Sequence, residues 1–126
     1  KSNVDSGIAL PIQEAAIEAL TGDQTWLEGR NAVYSERCET VLEGLRAAGL
    51  NPIRPKGAIY VWTPLPEGTR SMDYAESLLR ETGVSIAPGS MFGGHGEGYA
   101  RISLVQPVSR ISEAMKRWQQ WAEGRN

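Results

Sequence analysis

The sequence predicts an α+β domain: a two-layer arrangement in which a small mixed or antiparallel sheet of about four strands is covered on one face by helices. Two observations lead there. Long segments around residues 25–48 and 107–123 carry apolar residues at helical spacing with charges between them. Short segments rich in β-branched and aromatic residues, near 51–54, 58–63, 84–87 and 99–104, are separated by Pro/Gly turns.

Composition narrows the function classes. At 126 residues the chain is one domain, or a domain with a short appendage, and can bury a core without staples. Its 13 basic and 15 acidic residues nearly balance, so there is no electrostatic footprint for nucleic acid or an anionic membrane. Apolar runs are only a few residues long, and no signal-peptide pattern opens the chain. Cys38 is the single cysteine, which excludes an internal disulfide and points to a reducing cytoplasm.

In chain order, Lys1 to Gly7 has no natural element onset and reads as a cut inside a longer protein. Ile8 to Leu20 reads as a helix, with Pro11 in the first turn and Thr21-Gly22-Asp23 as the stop. Its Ile8, Leu10, Ile12 and Ile17 have little chain nearby to cover them, so exposed apolar surface is expected. Thr25-Trp26-Leu27-Glu28 is a capping-box pattern opening a long helix that Gly49 closes. Leu27, Tyr34, Cys38, Val41, Leu45 and Ala48 form its buried stripe, in which Cys38 acts as a small hydrophobe.

Asn51–Arg54 reads as a short strand, and Pro55-Lys56-Gly57 as a turn into the strand Ala58–Thr63. Large apolar groups on both faces predict that this second strand is central, with Tyr60 and Trp62 in the core; a cleft position for Tyr60 is the alternative. Ser71 caps a helix from Met72 to about Thr82, with Met72, Ala75, Leu78 and Leu79 inward. Val84–Ala87 is the next strand. Pro107 starts the last helix, whose stripe is Val108, Ile111, Met115, Trp118 and Ala122.

Between the last two strands runs Ala87-Pro88-Gly89-Ser90-Met91-Phe92-Gly93-Gly94-His95-Gly96-Glu97-Gly98. Glycines at this density let the backbone take positive φ and approach a ligand or another segment closely. In the strand that follows, Ala100, Ile102 and Leu104 share one face, and Tyr99, Arg101 and Ser103 share the other. Arg101 is thus held on a rigid element, away from the apolar layer. A guanidinium so placed suits a planar anion such as a carboxylate, through two parallel charge-assisted hydrogen bonds. The competing interpretation is a structural arginine paired to Glu97 or another acid. Phe92 either lines a pocket or plugs the loop. His95, the only histidine, has no Cys/His/Asp cluster around it for a metal site or a triad.

The run Pro88-Gly89-Ser90-Met91-Phe92-Gly93 followed by Gly96-Glu97-Gly98-Tyr99-Ala100-Arg101-Ile102-Ser103-Leu104 resembles the C-terminal part of class I/II aminotransferases, pyridoxal-phosphate enzymes of fold type I. Pro55-Lys56-Gly57-Ala58-Ile59-Tyr60-Val61-Trp62 is similar to that family's small-domain hairpin. Lys1 to Gly7, with Gln13, Ala15-Ala16 and Ala19-Leu20, looks most like the end of the large domain in the branch that includes LL-diaminopimelate aminotransferases. The resemblance implies that residues 1–22 are the tail of the large, cofactor-bearing domain and 23–126 the small domain. It implies that Arg101 binds the substrate α-carboxylate, with Phe92 and Asn3 as further substrate contacts. Asn3 and Asp5 fall where relatives approach the neighbouring subunit's active site, so a homodimer is expected.

The reaction implied is amino-group transfer from an amino acid to a 2-oxo acid, with pyridoxal phosphate as cofactor. That chemistry needs a lysine for the Schiff base, a carboxylate against the pyridine nitrogen and donors for the phosphate. Lys1, Lys56 and Lys116 lack the family's serine-lysine context. No catalytic or cofactor-binding residue is therefore assigned within the chain, and the fragment alone is expected to be inactive. An aminotransferase-like effector module of a transcription regulator, a lyase of the same fold type and a non-catalytic interaction domain are the alternatives.

Overall fold

A computed structural model describes residues 7–125. The chain forms two compact units divided between Ala32 and Val33. In the first, helix α1 spans Leu10–Thr21 with a proline in its first turn, and none of its residues is buried. Ile8, Leu10, Ile12, Ile17 and Leu20 are all exposed, as the sequence leads one to expect for the first four. Helix α2, Thr25–Ala47, begins in this unit. Its start differs from the capping box: the Asp23 carboxylate accepts from the Thr25 N–H at 2.9 Å and from the Thr25 hydroxyl at 2.7 Å. These two bonds hold the Asp23 carboxyl below the usual carboxylate range.

The second unit contains the rest of α2, strand β1 (Tyr60–Pro64), helix α3 (Ser71–Thr82), strand β2 (Ala87–Pro88), strand β3 (Tyr99–Ser103) and helix α4 (Val108–Glu123). The sheet is antiparallel with order β1-β3-β2. It therefore has three strands where about four were expected. Asn51–Arg54 contributes one bridge, Ile53 to Trp62, and of Val84–Ala87 only Ala87 pairs, joined by Pro88. The central strand is β3, not the strand at 58–63. Strand β1 starts at Tyr60 because Ala58 is left-handed (φ 68°), a conformation incompatible with extended backbone.

Alternation decides which face of the sheet is dry. Val61 and Thr63 on β1, and Ala100 and Ile102 on β3, are buried, while Tyr60, Trp62, Tyr99 and Arg101 are half-buried on the opposite face. Tyr60 and Trp62 thus lie outside the core, contrary to expectation. Two inward positions are already filled by Val61 and Thr63, and residues one step away must point the other way.

The dry face packs on Cys38, Val41, Leu42 and Leu45 of α2, Tyr74 and Leu78 of α3, and Ile111, Met115 and Trp118 of α4. On α3 the inward residues are Ser71, Tyr74, Ala75 and Leu78; Met72 and Leu79 are exposed. Ser71, Tyr74, Ala75 and Leu78 form one face at helical spacing, and Met72 falls on the other side of the helix; the inward Tyr74 hydroxyl accepts from the Trp118 indole N–H at 2.9 Å. Burial pushes the Tyr74 hydroxyl pKa up, against the smaller effect of that hydrogen bond. Between α2 and α4, Gly44 faces the Met115 side chain so closely that a Cβ would overlap it. Helix α2 ends as expected: Gly49 takes φ 80° and the Leu50 N–H donates to the Leu45 carbonyl at 2.9 Å.

Candidate functional site

The open face of the sheet gathers the aromatic residues around Arg101. In the β1–β3 register Trp62 lies opposite Arg101, and on the other side Ala87 does, presenting only a methyl group. Tyr60, opposite Ser103, occupies the neighbouring same-face position on β1. The Arg101 guanidinium carbon lies 4.2 Å from the Tyr60 ring centroid and 4.2 Å from that of Phe92. Trp62 meets Phe92 edge-on at 5.4 Å and Tyr99 edge-on at 6.4 Å. A cation over aromatic faces is attracted by the ring quadrupoles without losing its hydrogen-bonding edge.

Phe92 reaches this cluster from the glycine segment. After β2 the chain makes two 3-10 turns, Gly89–Phe92 and Gly94–Gly96. Gly89 and Gly96 meet backbone to backbone: a Cβ on either would run into the other's main chain. The close approach that the glycines permit is thus between two parts of the same loop. Gly93, at φ 105°, makes the corner between the turns.

Glu97 does not pair with Arg101. Its carboxylate accepts from the Ser71 backbone N–H at 2.6 Å, the Ser71 hydroxyl at 3.2 Å and the Gly98 N–H at 3.1 Å. Ser71 heads α3, so Glu97 supplies from a distant loop the cap that the sequence assigns to Ser71 itself. The Ser71 hydroxyl also meets Ser90, at 3.0 Å from its Oγ, and accepts from the Ser90 N–H at 3.2 Å. The backbone bonds from Ser71 and Gly98, foremost among several causes, hold the Glu97 carboxyl below the usual range. Among the described residues no carboxylate forms an ion pair with Arg101.

Arg101 and Phe92 are therefore brought together, while Asn3 and Asp5 lie outside the described residues. Tyr60 and Trp62 join the cluster although sequence reasoning placed them mainly in the core. The signal that finds them is the period of two on β1, since their spacing from each other matches a single face. His95 is exposed on the second turn, and the described residues hold no group of three or more His, Cys, Asp or Glu suited to a metal ion. Cys38 is buried in the core, where desolvation raises its thiol pKa above the ordinary value. A second depression lies between residues 83–85 and α4, but its Arg117 is tied to Glu113 at 2.9 Å. No described helix is long and apolar enough to cross a membrane.

Residues 4–117 match the family model for aminotransferase class I and II. The LL-diaminopimelate aminotransferases of Syntrophobacter fumaroxidans and Moorella thermoacetica are each 44% identical to the chain over 117 residues. These matches cover 93% of this chain and 30% of each relative. Among solved structures, an aromatic aminotransferase from Pyrococcus horikoshii superposes with a TM-score of 0.81 at 36% identity, over 90% of this chain and 31% of that one. A probable N-succinyldiaminopimelate aminotransferase from Thermus thermophilus gives a TM-score of 0.83 at 32% identity, over 94% and 32% of the two chains. The chain thus spans about 30% of the length of the curated relatives it matches.

Proposed function

Because the chain belongs to the class I and II aminotransferase family, we propose that it is the substrate-recognition part of a pyridoxal-phosphate-dependent aminotransferase, with residues 1–22 closing the large domain and 23–126 forming the small one. The observation that carries this reading is Arg101: a guanidinium on the central strand, flanked by two aromatic rings and matched with no acid among the described residues. An arginine in that state has its planar edge available for a carboxylate. The substrates are an amino acid and a 2-oxo acid, each carrying the α-carboxylate that Arg101 holds in turn. The similar LL-diaminopimelate aminotransferases favour LL-diaminopimelate as one substrate, and glutamate is the partner this reading assigns to it. A cytoplasmic homodimer completes the reading, with Asn3 as a further contact.

Arg101 does two things in this scheme, and Phe92 adds a third. It binds the carboxylate through two parallel N–H···O bonds, which fixes the carboxylate plane. It thereby places Cα, the carbon whose proton is to move, in one position for both half-reactions. Phe92, 47% exposed beside it, covers the bound ligand and keeps water off the guanidinium.

No described lysine is set up as the anchor of the cofactor. A lysine that forms a Schiff base reacts as the neutral amine, which burial or a neighbouring cation favours. Lys56, in the loop before β1, and Lys116, on the outer side of α4, are both exposed. In this reading pyridoxal phosphate is held mainly by the large domain of the full-length protein, and this chain's part in the reaction is to bind and orient.

Steady-state kinetics on the full-length protein that this reading implies test it. Arg101→Lys keeps the charge but loses the fork, so kcat/KM for the best amino donor should fall about ten- to hundredfold, the equivalent of one charge-assisted hydrogen bond. Arg101→Ala should cost more. Unchanged kcat/KM, or a loss accounted for by a lowered melting temperature, returns Arg101 to a structural role.

A further inference from the structure

Rings, and not a counter-ion, flank Arg101 in the described part of the chain. Tyr60 heads β1, while Phe92 ends the first 3-10 turn after β2, so the two rings over the guanidinium come from different elements. Phe92 is half exposed and sits on a loop, where it needs support of its own. Trp62 gives that support. It is fixed to the sheet opposite Arg101 and braced by Tyr99 at 6.4 Å, and it presents to Phe92 in an edge-to-face contact at 5.4 Å.

A long arginine side chain populates many rotamers in water, and a ligand that needs one of them is weakened in proportion. Contact with two rings selects a guanidinium position before the ligand arrives. We propose that Tyr60 and Trp62 are positioning residues for Arg101, Tyr60 by direct contact with the guanidinium and Trp62 by fixing Phe92 against it. The proposal rests on the reading of Arg101 as the carboxylate-binding group. It requires neither ring to touch the substrate, and it assigns the hydroxyl of Tyr60 no part: the ring face is what acts.

The test uses the full-length protein, with kcat/KM for the amino donor, competitive inhibition by hexanoate as a bare carboxylate probe, and thermal melts. Tyr60→Leu and Trp62→Leu should each lower kcat/KM by about tenfold and weaken hexanoate inhibition by a similar factor. Melting temperatures should stay near wild type. Tyr60→Phe and Trp62→Phe keep a ring and should restore both readouts to within about twofold. In the Arg101→Ala background the same leucine substitutions should change kcat/KM by less than about twofold, because the group they act through is gone.

Equal losses with and without Arg101 overturn the proposal, since the rings would then act on the substrate or the fold directly. Failure of the phenylalanine variants to restore hexanoate binding overturns it as well. If Arg101→Ala alone leaves kcat/KM and hexanoate inhibition unchanged, the carboxylate reading fails, and the positioning role with it. Should a leucine variant melt far below wild type, the methionine variant, closer in length to the native side chain, takes its place in the cycle.

Discussion

Tyr74→Phe removes one oxygen atom from the core and nothing else. Trp118 is fully buried, and its indole N–H donates to the Tyr74 hydroxyl at 2.9 Å. The Tyr74 ring keeps its contacts in the variant, including the edge-on approach to Trp121 at 5.0 Å. What changes is that a buried donor loses its acceptor, which costs about 1–3 kcal/mol because the N–H stays dried but unpaired. In a domain of about a hundred residues each kcal/mol lowers Tm by roughly 4–8 °C. Chemical denaturation of wild type, Tyr74→Phe, Trp118→Phe and the double variant separates the hydrogen bond from packing. With the indole gone, Tyr74→Phe should be nearly neutral or stabilising, since the hydroxyl then has no donor to serve. An equal cost in both backgrounds refutes the reasoning. Alkaline pH adds a second check. Burial raises the Tyr74 pKa in the folded state, so its contribution is complete below the unfolded value of about 10 and is lost as pH rises through the folded value. The gap between wild type and Tyr74→Phe should therefore narrow in that range.

Three further outcomes follow from the geometry. Gly89→Ala places a methyl group against the main chain of Gly96 and Tyr99; the loop must open, Phe92 should leave Arg101, and kcat/KM of the full-length protein should fall with a loss of stability of about 1–3 kcal/mol. Glu97→Gln should lower stability at neutral pH and abolish an acid-side transition. The folded pKa of Glu97 is depressed, so its contribution is present above the unfolded value of about 4.3 and disappears as pH falls through the folded value; identical acid melts for wild type and variant count against the cap. Gly44→Ala gains up to about 1 kcal/mol of helix propensity, but its Cβ overlaps Met115. A net loss of stability is expected, and Met115→Ala in the same chain should relieve it in a denaturation cycle.

Much of the architecture was legible from period alone. The stripe Ile111, Met115, Trp118 on α4 and the alternation of Ala100 and Ile102 against Arg101 are set by local geometry, and both are found as read. On α3 the error is one of phase: the sequence reading sets Met72 and Leu79 inward with Ala75 and Leu78, whereas the buried face is Ser71, Tyr74, Ala75 and Leu78, with Tyr74 meeting Trp118 across the core. The rest of what could not be read was decided by partners distant in sequence. Ser71 looks like its own cap until Glu97 arrives from another loop. Arg101 was recognisable because it is the one charged residue on its strand face, but the rings over it come from β1 and from a loop, and no spacing along the chain reports that meeting. The strand at 58–63 was misplaced in the sheet because its aromatic residues mimic a doubly buried strand. Its second face is covered by rings and a guanidinium, not by another layer of helices.

The Gly89–Gly96 contact has a bearing on how this loop can vary. It is made by main chain on both sides, so its tightness owes nothing to the side chains displayed between those two residues. Ser90 is tied down by Ser71 and Phe92 by Arg101, whereas Met91 and His95 point to solvent with no described hydrogen bond. The loop therefore separates two duties: a buckle that fixes where the chain enters and leaves, and a tip whose exposed positions can be exchanged without disturbing it. Substitutions at Met91 and His95 should therefore cost little stability while Phe92 stays in register over the arginine, so this small buckle is a place where sequence can change without the loop changing course.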